Sequence, residues 1–255
     1  MIILSDLKTP VVIAEIGTLH LKTKESQYRA TRRAFEAGAD YVKTQLINPS
    51  TAWWMNEERL EEFKKINWHE EDWFKYFTAS EWRGFVFASV FDVSFLTPEF
   101  LTILPMIKLG ASAQIMLGLF KKALKSGKQT IISVENLESL YMVLSFCYDV
   151  SALDPIFLYV QSKYPTFAEN QRLPVFRDIN GPSFNGLSYH GERRQNLESV
   201  DYRIDVLRAA IQLGAKIFEL HVQDEGAEGP DTKFAFTMEE FRLAAKAIHE
   251  YNNRV

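Results

Sequence analysis

The sequence predicts a single (β/α)₈ (TIM) barrel spanning residues 1–255. Short runs rich in branched and aromatic residues alternate with longer amphipathic stretches, which is the pattern of a parallel sheet crossed over by helices. There are eight such runs in a chain of 255 residues, the number and length of a closed barrel. No glycine-rich phosphate loop follows the first run, where Gly17-Thr18-Leu19-His20 stands instead. That counts against the open doubly wound sheet, the alternative arrangement of the same elements.

The elements are taken in chain order. Val11–Ile16 is a near-continuous apolar run and is predicted as the first strand, followed by the amphipathic helix Glu25–Ala37. Tyr41–Leu46 is the second strand. Residues 48–67 break the rhythm: the stretch is long and aromatic, with Trp53, Trp54 and Met55, and is expected to be an extended loop. It is either a substrate-stacking wall or a satellite hydrophobic cluster. Then come helix Trp68–Arg83, strand Gly84–Val90, helix Ser94–Leu104, strand Met106–Leu109 and helix Leu117–Ser126. Strand Thr130–Val134, helix Glu138–Tyr148 and strand Ile156–Gln161 continue the alternation. Leu173–Asn180 supports only a short helix before strand Asn185–Ser188. Helix Val200–Leu213, strand Lys216–Val222 and helix Thr237–Tyr251 complete the barrel. Gly38, Gly127 and Gly214 each follow a predicted helix and serve as stop signals.

Composition narrows the function classes. A net charge of −4 with no extended basic block gives no sign of a nucleic-acid or anionic-membrane surface. No apolar run approaches a membrane span, and no signal peptide is evident at the N-terminus, so a cytoplasmic location is expected. Cys147 is the only cysteine and lies in an apolar run, where a buried thiol is expected and not a nucleophile.

Chemistry in a barrel of this kind sits at the C-terminal ends of the strands. The eight predicted ends carry Glu15; Lys43 and Gln45; Ser89; Lys108; Ser133 and Glu135; Ser162 and Tyr164; Ser188 and His190; and His221. Polar groups mark any strand that emerges into water, but that explains this whole set poorly. Lys43 and Lys108 come from different strands and can converge on a phosphate or carboxylate. His190 and His221 end adjacent strands, where neutral imidazoles can ligate a divalent ion or simply hydrogen-bond. Glu15 sits in the apolar frame Val-Ile-Ala-Glu-Ile-Gly. Such surroundings raise a carboxyl pKa toward that of a general acid or base, and a salt bridge to a barrel lysine is the alternative.

At these residues the chain resembles the sialic acid (N-acetylneuraminate) synthase family, over roughly Pro10 to Phe241. The resemblance rests on segments in the expected order. They are Ala14-Glu15-Ile16-Gly17, Gly38 to Gln45, Ser89-Val90-Phe91-Asp92, Met106 to Gly110, Tyr164-Pro165-Thr166, Gly186 to His190, and Phe218 to His221 followed by Gly229 to Phe234. It implies condensation of phosphoenolpyruvate with a sugar aldehyde to give a sialic-acid-like nonulosonic acid. Positions matching Lys43, Ser89, Lys108 and Ser188 bind phosphoenolpyruvate, and those matching Gln45, Tyr164 and Asp231 face the sugar. Ser133 and Ser162 complete the candidate substrate-binding set. The histidines matching His190 and His221 hold Mn²⁺ or Mg²⁺, and Glu15 handles protons or positions water. A homo-oligomer is compatible with the resemblance.

The departures are specific. Gly110-Ala111-Ser112-Ala113 replaces the family's Gly-Ser-Gly-Glu, so a carboxylate is lost at Ala113. Ser133-Val134-Glu135-Asn136 replaces Ser-Thr-Gly-Met. Leu19 stands for an asparagine and Tyr189 for an aspartate. The family's C-terminal antifreeze-like domain is not present in the chain, so the sugar pocket is expected to be open or covered otherwise. Glu135 either replaces the missing carboxylate beside Lys108, as a catalytic group, or turns outward and caps the next helix. Besides the synthase, two readings stay open: a degenerate barrel that binds a metabolite or partner without catalysis, and an aldolase using a Schiff-base lysine.

Overall fold

A computed structural model describes residues 2, 7–17, 23–52, 57–66, 68–112, 116–149, 155–162, 166–167, 172–176, 183–192, 200–225 and 230–251. Eight parallel strands close into a barrel: β1 (Val11–Glu15), β2 (Tyr41–Leu46), β3 (Val86–Val90), β4 (Met106–Leu109), β5 (Gln129–Val134), β6 (Ile156–Val160), β7 (Gly186–Tyr189) and β8 (Ile217–Gln223). Closure is made by β1 against β8, with Val11 opposite Ile217 and Glu15 opposite His221. The helices are α1 (Lys24–Glu36), α2 (Glu57–Ile66), α3 (Glu70–Thr78), α4 (Pro98–Ile103), α5 (Leu117–Leu124), α6 (Leu137–Asp149), α7 (Val200–Gln212) and α8 (Met238–Tyr251). No helix among the described residues is long and apolar enough to cross a membrane.

Side chains alternate in and out along a strand, and here the alternation separates two cores. Residues such as Val12, Val42, Ala88, Ile107, Ile132 and Leu187 face the helices and form the larger core. The opposite parity forms a smaller core inside the barrel: Ile13, Phe87, Met106, Ile131, Ile156, Leu158 and Ile217. Ile2 joins it and is pinned there by the Gln129 side chain: the Ile2 amide donates to Gln129 Oε1 at 2.7 Å, and the Ile2 carbonyl accepts from Gln129 Nε2 at 2.7 Å. This apolar floor fills the lower barrel, and the next inward residue on most strands is polar.

Local chemistry explains the helix limits. Thr23 caps α1 in a capping box with Ser26. Gly38 and Gly214, at φ of 103° and 99°, end the helices that precede β2 and β8. Three expectations change. The predicted helix 68–83 is shortened to α3, because Ala79 turns extended and a turn with Gly84 at φ 88° leads into β3. The predicted helix 94–104 becomes a single 3₁₀ turn, Val93–Phe95, and the short α4, because Thr97 caps a new start with Pro98 in its first turn. The stretch 48–67 is not simply extended, since it holds α2, whose acidic first turn and basic last turn match the helix dipole. Its Phe63 packs with Ile47 and Ala52 in a satellite cluster. Trp53, Trp54 and Met55 lie outside the described residues. Residues 172–176 are not helical, and the Phe176 amide bonds the Leu213 carbonyl at 2.9 Å, while 177–180 lie outside the described residues. Pro174 restricts the residue before it to extended backbone. Cys147 is buried on α6, and burial pushes its thiol up to about 11, so it is a packing residue.

Strand β7 begins at a close approach. A Cβ on Gly186 would stand 1.9 Å from the Ile217 carbonyl oxygen and 2.7 Å from its carbon. Gly186→Ala therefore forces β7 from β8, and is expected to cost about 3 kcal/mol in a denaturant titration. A loss below about 1 kcal/mol would show that the two strands can part cheaply.

Candidate active site

Above the apolar floor the inward parity continues into polar residues. Glu15 follows Ile13, Ser89 follows Phe87, Lys108 follows Met106, Ser133 follows Ile131, Ser188 follows Gly186 and Glu219 follows Ile217. Lys43 enters from β2 and is paired in register with Glu15. All seven of these polar residues are buried. Seven strands thus deliver charged or hydroxyl groups to one level at the C-terminal end of the barrel, where such folds carry their chemistry.

The buried charges form one cluster. The Lys43 ammonium contacts the Glu15 carboxylate, donates to Ser89 Oγ at 2.7 Å and lies 3.4 Å from Glu219 Oε2. The Lys108 ammonium donates to Ser133 Oγ at 2.8 Å and lies 3.7 Å from Glu219 Oε1. That same oxygen accepts from Ser188 Oγ at 2.8 Å. Lys43 and Lys108 therefore converge, as their strand positions predict, and Glu219 stands between them. Glu15 also accepts from the Gly17 amide at 2.6 Å.

Burial and pairing set the charge states. Burial works to raise the Glu219 pKa, but Lys108 and Lys43, with the Ser188 bond, overcome it and hold the carboxyl at about 2. Burial raises Glu15; Lys43 opposes the rise and the Glu219 charge reinforces it. Burial would lower Lys43, yet the two carboxylates win and its pKa is raised. Lys108 is pulled down by burial to about 8, because Glu219 alone compensates less well and Lys43 repels it. At neutral pH the cluster holds two cations and the firmly ionised Glu219, while burial shifts Glu15 upward from its ordinary value. That balance suits an incoming anion.

One step further out, His190 and His221 meet with their Nε2 atoms 2.8 Å apart and ring centroids 4.7 Å apart. Burial drives His190 down to about 4, so it is neutral at pH 7 with a lone pair to offer. Two nitrogens bound at right angles to one cation stand about 3 Å apart. The pair therefore fits a shared ion with little adjustment. Asp231 Oδ2 lies 3.8 Å from His221 Nδ1, where an outer carboxylate can orient a ligating imidazole. Among the described residues no group of three or more His, Cys, Asp or Glu surrounds a cation-sized point.

The remaining candidates divide. Gln45 shares the inward parity of Lys43, lies opposite Ser89 and is half-buried at the mouth. Ser162 is half-buried just past β6. Tyr164, His20 and Ala113 lie outside the described residues. Glu135 is a correction. It is exposed, and the charge it exerts is felt at Tyr159, an outward-facing residue of β6. Asn136, not Glu135, caps α6, accepting from the Ser139 amide at 2.8 Å. The carboxylate beside Lys108 is Glu219, which strand parity aims inward, whereas β5 has ended before residue 135. Glu219 was legible in the sequence: in Ile217-Phe218-Glu219-Leu220-His221 it is in phase with His221 in an otherwise apolar run.

The Lys108 pKa makes anion affinity pH-dependent. A cation with a pKa of about 8 is lost as pH rises through that value, while Lys43, raised above its usual value, stays charged. Sulfate does not change charge over this range. Its dissociation constant is expected to rise about tenfold per pH unit above pH 8. Calorimetric titration at pH 7, 8 and 9 tests this, with Lys108→Met as the weak and pH-independent control. Equal affinity at pH 7 and 9 would remove Lys108 from the anion site.

Several known proteins are similar to this chain. The pseudaminic acid synthase of Helicobacter pylori is 25% identical over 265 residues, covering 96% of this chain and 75% of that protein. A sialic acid synthetase structure from Leptospira borgpetersenii superposes with a TM-score of 0.81 at 20% identity, covering 96% of this chain and 85% of that one. A spore coat polysaccharide biosynthesis protein from Bacillus subtilis gives 0.75 at 20%, covering 96% of this chain and 68% of that one. These two likenesses speak to the fold. The family model described as the NeuB family matches residues 31–255, and the chain belongs to that family.

Proposed function

We propose that the chain is a synthase that joins phosphoenolpyruvate to a sugar aldehyde and forms a nonulosonic acid. The observation that carries this reading is the buried group of Lys43, Lys108 and Glu219 beside the histidine pair, in a member of the NeuB family. The pseudaminic acid synthase relative supports the substrate class. In the reaction, C3 of phosphoenolpyruvate bonds to the aldehyde carbon, and water supplies the oxygen that adds at C2. The C2–O bond then breaks and phosphate leaves with the bridging oxygen, while the aldehyde oxygen takes a proton and becomes a hydroxyl.

The chain's own residues are disposed for these steps. Lys43 with Ser89, and Lys108 with Ser133 and Ser188, bind the carboxylate and phosphate of phosphoenolpyruvate through charge-assisted hydrogen bonds. Glu219 holds the two ammonium groups apart and orients them. Glu15, its pKa raised by burial and its carboxylate in contact with Lys43, moves a proton to or from the attacking water. Gln45 and Asp231, at the mouth, face the sugar, with Ser162 just past the end of β6. His190 and His221 would hold a divalent ion, Mn²⁺ or Mg²⁺, and what such an ion supplies when bound is Lewis-acid polarisation of the aldehyde carbonyl. The paired histidines do not favour a Schiff-base aldolase, because that chemistry leaves His190 and His221 without a role.

The test is phosphate release from phosphoenolpyruvate with a panel of 2-acetamido sugars, with and without manganese. Substrate labelled with ¹⁸O at the bridging position is expected to deliver the label to phosphate. Lys43→Ala is expected to weaken phosphoenolpyruvate binding by about 1.5–3 kcal/mol, roughly 10- to 150-fold. Unchanged affinity places the anion site elsewhere, and no phosphate release with any aldehyde leaves a binding protein.

A further inference from the structure

Segment 230–236, which follows β8, makes a second set of contacts with the histidine pair, from outside the strands. Phe234 is buried, and its ring meets both imidazoles at steep angles. The centroids are 5.3 Å apart at 80° for His190 and 4.8 Å apart at 84° for His221. The main chain behind the ring is a tight turn: the Phe234 and Ala235 amides both bond the Asp231 carbonyl, at 3.2 and 2.9 Å. The same turn therefore carries the Asp231 carboxylate toward His221 and the Phe234 ring against both histidines.

The turn is anchored from the helix layer. Arg203 of α7 is only 4% exposed, although a buried guanidinium is costly to desolvate. Its Nη2 donates to the Phe234 carbonyl. Its guanidinium carbon sits 3.4 Å from the centroid of the Phe236 ring and 5.6 Å from that of Tyr189, favourable ground for a planar cation. Tyr189 and Phe236 are themselves in ring contact, with centroids 5.9 Å apart. One cation thus grips the turn by its carbonyl and the strand ends on either side by their aromatic faces.

We infer that Phe234 and Arg203 are positioning residues for the histidine pair: Phe234 is the wall that keeps the two Nε2 atoms facing one point, and Arg203 is the anchor of that wall. The physical need is clear. The terminal torsion of a histidine side chain is broad, so hydrogen bonds or packing must fix the ring plane. A ring edge or face pressed on both imidazoles at once removes the rotation that would turn the nitrogens apart. The metal-affinity arm of the inference rests on the proposed role of His190 and His221, whereas the ring geometry does not.

The experiment uses the full chain and two readouts. In the first, Mn²⁺ is titrated calorimetrically into wild type, Phe234→Leu, Phe234→Tyr and Arg203→Met, and sulfate is titrated in parallel. Phe234→Leu and Arg203→Met are expected to bind Mn²⁺ about 10- to 100-fold more weakly. Phe234→Tyr, which keeps the ring, stays within about threefold of wild type. Sulfate affinity, set by the lysines, is unchanged in all three. In the second, imidazole ¹⁵N spectra of the metal-free protein report the hydrogen-bonded Nε2 pair. That signature is lost in Phe234→Leu and kept in Phe234→Tyr. Should Phe234→Leu not fold, Arg203→Met decides by the same two readouts. Should the wild type bind no Mn²⁺, the metal reading alone falls, and the ring spectra decide the positioning. Wild-type ring spectra in Phe234→Leu overturn the inference, as does a loss of sulfate affinity in step with Mn²⁺, which marks general loosening of the barrel mouth.

Discussion

Two lysine ammonium groups are buried at the mouth of this barrel, and the Glu219 carboxylate lies between them. An ammonium taken out of water without a partner is too costly to keep ionised, and removing one member of such a group leaves another charge stranded. The rest of the upper barrel is arranged around that constraint. Glu15 shares Lys43, Ser188 tethers Glu219, and Ser89 and Ser133 take one hydrogen bond from each lysine. Closure of the sheet is what makes the group possible, because Glu15 and Glu219 come from β1 and β8, the strands at opposite ends of the chain order, which pair only when the barrel is shut.

The apolar floor gives the cluster its rigidity. Ile13, Phe87, Met106, Ile131 and Ile217 each sit two residues before a polar member of the site on the same strand, so these five polar side chains stand on packed neighbours. The floor also keeps water from the cluster from below, and low polarity strengthens each contact. It explains the spread of charge states: Lys43, with two carboxylates, stays a firm cation, while Lys108, with one, is the softer charge. The site thus combines one fixed and one adjustable cation beside a paired His190 and His221.

The segment after β8 is tied down at both of its flanks. Asp224, buried at the end of β8, accepts from Arg29 at 2.9 Å and also pairs with Arg33, both on α1. Arg203 on α7 holds the other flank at Phe234. At the opposite end of the barrel, Asp40 joins the Val12 amide at 2.7 Å to His249 of α8 at 2.9 Å, binding the last helix to the first strand. These ties fix where the strands' upper ends stand relative to their helices.

Much of this was legible in the sequence. Strand runs and helix stops set the eightfold alternation, and parity along each run placed Glu15, Lys43, Ser89, Lys108, Ser188, His190 and His221 on strand ends. The convergence of Lys43 with Lys108 and of His190 with His221 follows from closing such a barrel. Helix α2 was not legible, because an aromatic stretch after a strand looks the same as loop or helix until Phe63 finds Ile47 and Ala52 to pack on. Glu135 and Glu219 are the instructive pair. In sequence, Glu135 directly follows the strand end Ser133-Val134 and looks poised to act, while Glu219 is one charge in an apolar run. The predicted strands already end at Val134 and Val222; only the three-dimensional packing shows that Glu135 is left exposed while Glu219 is buried between the two lysines. Sequence alone thus determined which groups each strand carries, because alternation is a local property of the chain. Tertiary structure decided which of those groups share a buried space, because that depends on which strands closure brings side by side.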